Sequence, residues 1–548
     1  MQTRTCTASN QSFTIRNQDV QFYETMGVPL PTLCPTERMR RRLAWRNERS
    51  LHHHTCHGSG KKIISMYRPD SGHLVYDNEY WWGDNWDGQT WGRDFDLKRN
   101  FLEQWHELFK AVPKMARVQQ GDNLNSRYTN CASYNKNCYL LFTANNCEDC
   151  MYSTWLNNCQ DCLDCYAVFN SELMYQCIEC SGSYNVQYSQ QIDNSNDVYH
   201  SYDCKNCENL FACVSLRSQK YQILNNPVSP EEFQSVLESP EKQANVLKQL
   251  QAIYLNTPKK YADILMCENC TGDNVFGCKN CHQSYLLVNC EDCAYSDGIF
   301  DAKNTYDVSY YGGSGTNELL YECEGVGHGV FNSKFCKLCW GGCQHLEYCY
   351  ECFNCQDCFG CVGLKKSQYC ILNTQYSAED YHRLRAQIIE HMQREQTWGE
   401  FFPISLSPFG YNETTAQDYF PLTKEDAIKH GFPWYDDTPA SKYVGAPYAV
   451  PTKITDTPDS ICDQILQCQS TGKNYKIQPA ELDFYRQMKL PVPTHGPDTR
   501  HAARMRLRRP RQLWERTCVQ CPTKIITPFA PERPEKVLCE ECYLRAVN

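Results

Sequence analysis

The sequence predicts a mainly β protein with helical caps, in which cysteine-rich β-solenoid-like repeat blocks are flanked by two duplicated zinc-ribbon-like modules. Three observations carry that prediction. Of the 37 cysteines, 28 lie between Cys131 and Cys370, in short knots such as NNCEDC at 145–150 and CYECFNCQDCFGC at 349–361. Neighbouring cysteines there are mostly separated by multiples of three; from Cys138 to Cys213 the intervals read 9, 3, 9, 3, 3, 12, 3, 24, 3, 6. Residues 6–82 align with 468–544 without a gap, and 22 of the 77 positions are identical.

At 548 residues the chain is too long for one core, so several domains are expected. A net charge of −10 argues against the whole molecule being a nucleic-acid binder. No run of 18 apolar residues is present, so no membrane span is predicted, and MQTRTCTASNQ lacks the apolar core of a secretory signal. A cytosolic protein is the resulting expectation. In a reducing compartment, dense CxxC pairs read as metal ligands or buried thiols rather than disulfides.

In chain order, residues 1–92 form the first copy of the duplicated module. Its frame includes Phe22-Tyr23, Met26, Pro29, Pro31 and Thr32, matched by Phe484-Tyr485, Met488, Pro491, Pro493 and Thr494. Where the second copy carries four cysteines, this one offers Cys56, Ser59, Asp77 and Tyr80, a poor zinc cage. The run His52, His53, His54 with His57 reads as a solvated face, and the module is expected to keep its fold by packing. Residues 93–130 are a helical connector, with a helix expected from Leu97 to about Val112 capped by Asp96.

Residues 131–262 and 263–397 are the two repeat blocks. The stretch at 204–225 matches 352–373 at an offset of 148, and each is followed by a serine N-cap, Ser229 and Ser377, with acids in the first turn. Steps of eighteen give columns such as Cys159, Cys177, Ser195 and Cys213, which suggests a solenoid with CxxC pairs at the coil corners. The apolar stripes Val246, Leu247, Leu250, Ile253, Tyr254 and Tyr381, Leu384, Ile388, Met392 read as core or solenoid caps. Two sets share the spacing CxxC-x8-CxxC: Cys147, Cys150, Cys159, Cys162 and Cys278, Cys281, Cys290, Cys293. Four thiolates so spaced suit a zinc or an iron–sulfur cluster. The competing reading is cysteine as a small apolar residue in a narrow core, since valine and leucine take cysteine positions in the columns. Residues 398–460, rich in proline and aromatics, form a wrapped connector.

Residues 461–548 hold the clearest site. Cys518 and Cys521, seventeen residues, then Cys539 and Cys542 is the spacing of a zinc ribbon, whose two knuckles turn four thiolates toward one Zn2+. A site closed by four protein ligands is structural. The frame FYETMGVPLPTLCPTERMRRRLAWRNERSL also resembles an uncharacterised family of cysteine-rich zinc-ribbon proteins of uncultured small-genome bacteria. That family carries CxxC, a Phe-Tyr helix, Pro-Leu-Pro, Cys-Pro-x-Cys-Arg and an Arg-Asn-rich stretch. Here Cys6 and Cys34 match single ligands, while Ser9 and Glu37 stand at the partner positions. The family supplies no activity to carry over.

Arginine is the other concentrated feature: six in residues 38–49 and seven in 500–516. Arg38, Arg42, Arg46 and Arg49 match Arg500, Arg504, Arg508 and Arg511, with Trp45 and Trp514 nearby. One reading is a contact surface for RNA or another nucleic acid. The other is a basic face that is solvated or internally paired, matched to acids such as Glu481 and Asp483. No P-loop, HExxH, GxSxG or dinucleotide fingerprint is present, and Tyr310-Tyr-Gly-Gly-Ser-Gly315 lacks a phosphate-loop lysine, so no enzyme is predicted. The expected function is a zinc-binding structural or adaptor protein; the alternative is a redox or iron–sulfur protein.

Overall fold

A computed structural model describes residues 1–310, 317–327, 329–436 and 448–547; most of the glycine turn at 310–315 lies outside them. Among the described residues no helix is long and apolar enough to cross a membrane. The centre of the chain is a β-solenoid in two blocks. In the first, parallel strands recur every twelve residues: Thr154–Asn157 pairs with Tyr166–Phe169, and Gln160–Leu163 with Glu172–Tyr175. The strands alternate between an eight-stranded and a seven-stranded sheet. The second block is an eleven-stranded sheet, ten strands parallel and the short last one antiparallel; its register opens from twelve to fifteen residues at Ala302↔Asn317.

The coil is therefore twelve residues, not eighteen. Eighteen residues make one and a half coils, so the columns spaced by eighteen join positions on opposite sides of the fold. The tightness has a backbone cause. From Cys131 to Leu224 every third residue has a positive φ, and all but Gly182 are non-glycine. This left-handed region costs most residues energy but suits Asn and Asp, which explains Asn146, Asp149, Asn158, Asp161, Asp164 and Asn170 at these positions. Bending at every third residue replaces the two-residue alternation of a flat strand with a period of three. Inward-pointing cysteines thus occur inside strands, as at Cys162 and Cys180, as well as between them.

Each coil sends four side chains inward, for instance Cys159, Cys162, Cys165 and Val168, all buried. Small groups fit so narrow an interior, and cysteine packs well as one. Cysteine and serine also serve the backbone in the same way. The Ser183 hydroxyl donates to the Ser181 carbonyl (2.9 Å) and accepts from the Ser195 amide (3.2 Å). The Cys278 thiol donates to the Phe276 carbonyl (3.2 Å) and accepts from the Cys290 amide (3.3 Å). Outward positions stack in the same register, as in the Asn146–Asn158–Asn170 amide ladder.

Both blocks end alike. The Asn225 and Asn373 side chains each bridge back to the preceding coil, at Val214 and Val362, with 2.8 Å hydrogen bonds. The helices Pro230–Leu237 and Ala378–Arg394 follow, capped by Ser229 and Ser377 as expected. Tyr381, Ile388 and Met392 are buried against the second block, and Val246, Leu247 and Leu250 pack against the end of the first. The connector helix is shorter than the sequence suggests: it runs Phe101–Ala111 with Asn100 as cap, because the Asp96 carboxylate accepts from the Lys98 amide instead.

The two terminal modules repeat element for element. Each has two hairpins, two helices between them, a short strand and a final helix, from Gln2–Thr5 to Asn78–Trp82 and from Leu466–Gln467 to Glu540–Val547. Their docking is crossed. The helices Asn17–Met26 and Pro35–Leu43 pack on the second solenoid block, whereas Pro479–Gln487 and Pro497–Leu507 pack on the first. The short strands cross the other way: Val75–Tyr76 pairs with Lys114–Met115 at the entrance of the first block, and Val537–Leu538 with Lys259–Lys260 at the entrance of the second.

Candidate metal centre

Cys518 follows the strand Trp514–Thr517, and its amide donates to the Thr523 carbonyl (3.0 Å), which closes a knuckle that also presents Cys521. Cys539 follows Val537–Leu538, and Cys542 lies in the first turn of Glu540–Val547. The Val519 amide bonds the Val537 carbonyl (3.2 Å) and draws the knuckles together. All four sulfurs lie within 4.8 Å of one another, and Cys521 Sγ is 3.6 Å from Cys539 Sγ. A tetrahedral ion with bonds of about 2.3 Å needs sulfurs about 3.8 Å apart, so the donor set fits.

Local groups already favour ionisation of some of these thiols. Hydrogen bonds from Thr523 bring Cys521 down to about 6. Cys542 is pushed up to about 12 by burial and by the neighbouring Cys521 and Cys539, although Arg545 donates to its sulfur (3.2 Å). Like charge opposes four adjacent thiolates, and a divalent cation is what relieves that opposition.

Each module has a second knuckle pair on its first hairpin, so the duplication creates four equivalent positions, and one of them keeps four sulfurs. In the others hydrogen bonds knit the residues together. Ser59 Oγ donates to Asp77 Oδ2 (2.6 Å), and the Ser59 and Asp77 amides both reach Cys56 Sγ at 3.2 Å. Ser9 Oγ lies 3.8 Å from Cys34 Sγ. Against the upward push of burial, hydroxyls of Ser470, Thr471 and Thr499 bring Cys468 down to about 5. The histidine run is not wholly solvated: His54 is buried and His52 Nε2 is 3.2 Å from Glu413.

The central quartets are arranged differently from the tail. Cys147 and Cys159 stack one coil apart, as do Cys150 and Cys162, and each thiol donates to the carbonyl two residues before it at 3.2–3.4 Å. Cys278, Cys281, Cys290 and Cys293 repeat the arrangement. Among the described residues, the tail set is the group that gathers three or more such ligand atoms about one point. The central thiols line the coil and are bonded to the backbone.

The arginines do not form a nucleic-acid surface. Arg38, Arg42, Arg46, Arg500, Arg504, Arg508 and Arg511 are buried, and Trp45 is fully enclosed. They clamp the modules to the solenoid, and they do so twice in the same way. On the second block, Arg38 Nε and Arg42 Nη1 share Asp307 (2.9 and 3.1 Å), Arg42 Nη2 donates to the Tyr295 carbonyl (3.3 Å), and Tyr295 Oη donates to Asp19 (2.8 Å). On the first block, Arg500 Nε and Arg504 Nη1 share Asp164 (2.9 and 2.7 Å), Arg504 Nη2 donates to the Tyr152 carbonyl (3.0 Å), and Tyr152 Oη donates to Glu481 (2.7 Å). The guanidinium groups of Arg38 and Arg500 sit 5.0 and 4.9 Å from the Tyr295 and Tyr152 rings. Arg46 meets Glu48 (2.5 Å) and Glu324 (2.7 Å), Arg511 meets Asp297 (3.1 Å), and Arg49 lies 3.7 Å from Asp498. Arg508 lies over Tyr419 at 3.7 Å. Of the acids expected as partners, Glu481 is one, while Asp483 faces Arg486. Asp164 and Asp307 had no distinguishing local pattern, being two of many acids at left-handed positions.

No protein-family profile and no curated protein matches this chain. Among solved structures, a chain from Desulfovibrio desulfuricans G20 described as a "putative acetyltransferase" is similar at 8% identity with a TM-score of 0.09. The match covers 42% of this chain and 62% of that one. So low a score carries no argument about fold or activity.

Proposed function

We propose that the chain is a zinc-dependent structural scaffold of the cytosol, in which the Cys518, Cys521, Cys539, Cys542 tetrad holds one Zn2+. The observation that carries this reading is the gathering of four sulfurs on a module whose strand Val537–Leu538 continues onto Lys259–Lys260, where the second solenoid block begins. Zinc there would fix the ribbon and, through that strand, the junction between the blocks. A four-thiolate cage suits zinc and leaves no open position for substrate. The solenoid thiols, engaged with backbone carbonyls, call for a reducing compartment. The family resemblance of the terminal frame points the same way.

Metal analysis of the purified full chain tests the proposal. One zinc per chain, lost in Cys518→Ser together with the order of residues 514–547 in hydrogen exchange, is expected. A brown protein with iron in place of zinc, or a metal-free chain with an ordered ribbon, would refute it.

A further inference from the structure

A half-open cavity of about 130 Å³ lies between the last coils of the first solenoid block and the C-terminal ribbon, lined by Tyr202, Asp203, Arg217, Lys259, Arg509 and Tyr543 among others. Its cations are paired with one exception. Arg217 meets Asp203 at 2.7 Å and Arg509 meets Asp273 at 2.9 Å, and both Lys205 and Lys260 also face carboxylates. Lys259 is 2% exposed, yet its Nζ has no hydrogen-bond partner; it rests 4.2 and 5.0 Å from the rings of Tyr254 and Tyr202.

The other half of the molecule supplies an internal control. Lys114 holds the same place, opposite Val75 as Lys259 is opposite Val537. Its Nζ is satisfied by the Val112 carbonyl (2.6 Å) and by the Phe109 carbonyl, over the Phe109 ring. At Lys259 no such carbonyls reach in, and the cavity stands there instead. Burial lowers the Lys259 ammonium to about 8, so it remains mainly charged at neutral pH. The Asp203 and Glu535 carboxylates act on Lys259 only from beyond hydrogen-bond range, and a bound anion in direct contact would offset the cost of burying the charge.

We infer that this cavity binds one small oxyanion, of the phosphate, sulfate or carboxylate class, held by Lys259 beside the Arg217 and Arg509 guanidinium groups. The inference is independent of the metal reading, and zinc content measured on the same sample separates the two. Isothermal titration of the full chain with inorganic phosphate, sulfate and acetate is the test. Saturable binding of one equivalent is expected, at least about tenfold weaker in Lys259→Met and nearly unchanged in Lys259→Arg. Tighter binding of phosphate and sulfate assigns a tetrahedral oxyanion, and tighter binding of acetate a carboxylate. No saturable binding of any of the three to the unaltered chain, or equal binding by a folded Lys259→Met, overturns the inference.

Discussion

The N-terminal module on the second solenoid block and the C-terminal module on the first are the same object docked twice. Their helices, their strands and the module side of the clamp correspond at the sequence offset of the duplication, Asp19 with Glu481, Tyr23 with Tyr485, Arg38 with Arg500 and Arg42 with Arg504, and the solenoid side corresponds as Tyr295 with Tyr152 and Asp307 with Asp164. The metal ligands do not follow. Docking and metal binding are therefore separable properties of this module. The clamp, the apolar packing of Phe22, Tyr23 and Met26 and the Val75–Tyr76 pairing hold the N-terminal copy in place, and hydrogen bonds among Cys56, Ser59 and Asp77 occupy the position of the tetrad.

The strongest way to break the comparison is to remove the shared carboxylates. Asp307→Ala strands two buried guanidinium groups and should cost about 3–5 kcal/mol in urea unfolding, and Asp164→Ala should cost the same on the other side. Unequal losses would mean that the two dockings are not equivalent. Metal withdrawal sharpens the difference instead. If zinc is present at about a thousandfold its dissociation constant, chelation should cost the C-terminal module about 4 kcal/mol, with no effect on the N-terminal module's hydrogen exchange.

Acid should reach the N-terminal module through a histidine whose position in the C-terminal copy is a glutamate. His73, at the position of Glu535, is lowered to about 3 by burial and by Lys114. Its folded pKa lies below the unfolded value of about 6.5, so the unfolded chain gains the proton first. The His73 contribution to stability is full above pH 6.5 and should fall by about 1.4 kcal/mol per pH unit from there towards pH 3, beside those of His200, His282 and His501, which burial also lowers to about 4. His73→Phe should flatten that slope if the protein is followed by near-ultraviolet dichroism, and an unchanged slope would assign the acid sensitivity elsewhere. The smallest effect is expected in the solenoid. Cys159→Ser should cost less than about 1.5 kcal/mol in thermal unfolding, because serine fills the same column at Ser171 and Ser183 with the same backbone bonds. A larger loss would show that the central thiols do more than fill the coil.

Much of this was legible along the chain because it depends on local spacing. The gapless duplication, the knuckle separation of Cys518 to Cys542, and the recurrence of cysteine in threes are all linear patterns with direct geometric meaning. The length of the coil was harder to read, because cysteine, serine, valine and leucine are interchangeable in so narrow an interior. With four inward side chains per turn, an eighteen-residue step and a twelve-residue step both land on inward positions. Only backbone pairing decides which positions are neighbours.

What the sequence determined by itself is the inventory: two ribbon modules, two repeat blocks and one complete set of four thiols. The tertiary structure alone decided that the arginines turn inward and that each module docks across onto the opposite block. The physical reason is distance along the chain. Arg42 and Asp307, or Arg504 and Asp164, are hundreds of residues apart, and whether a guanidinium faces water or a buried carboxylate depends on which surface folds against it.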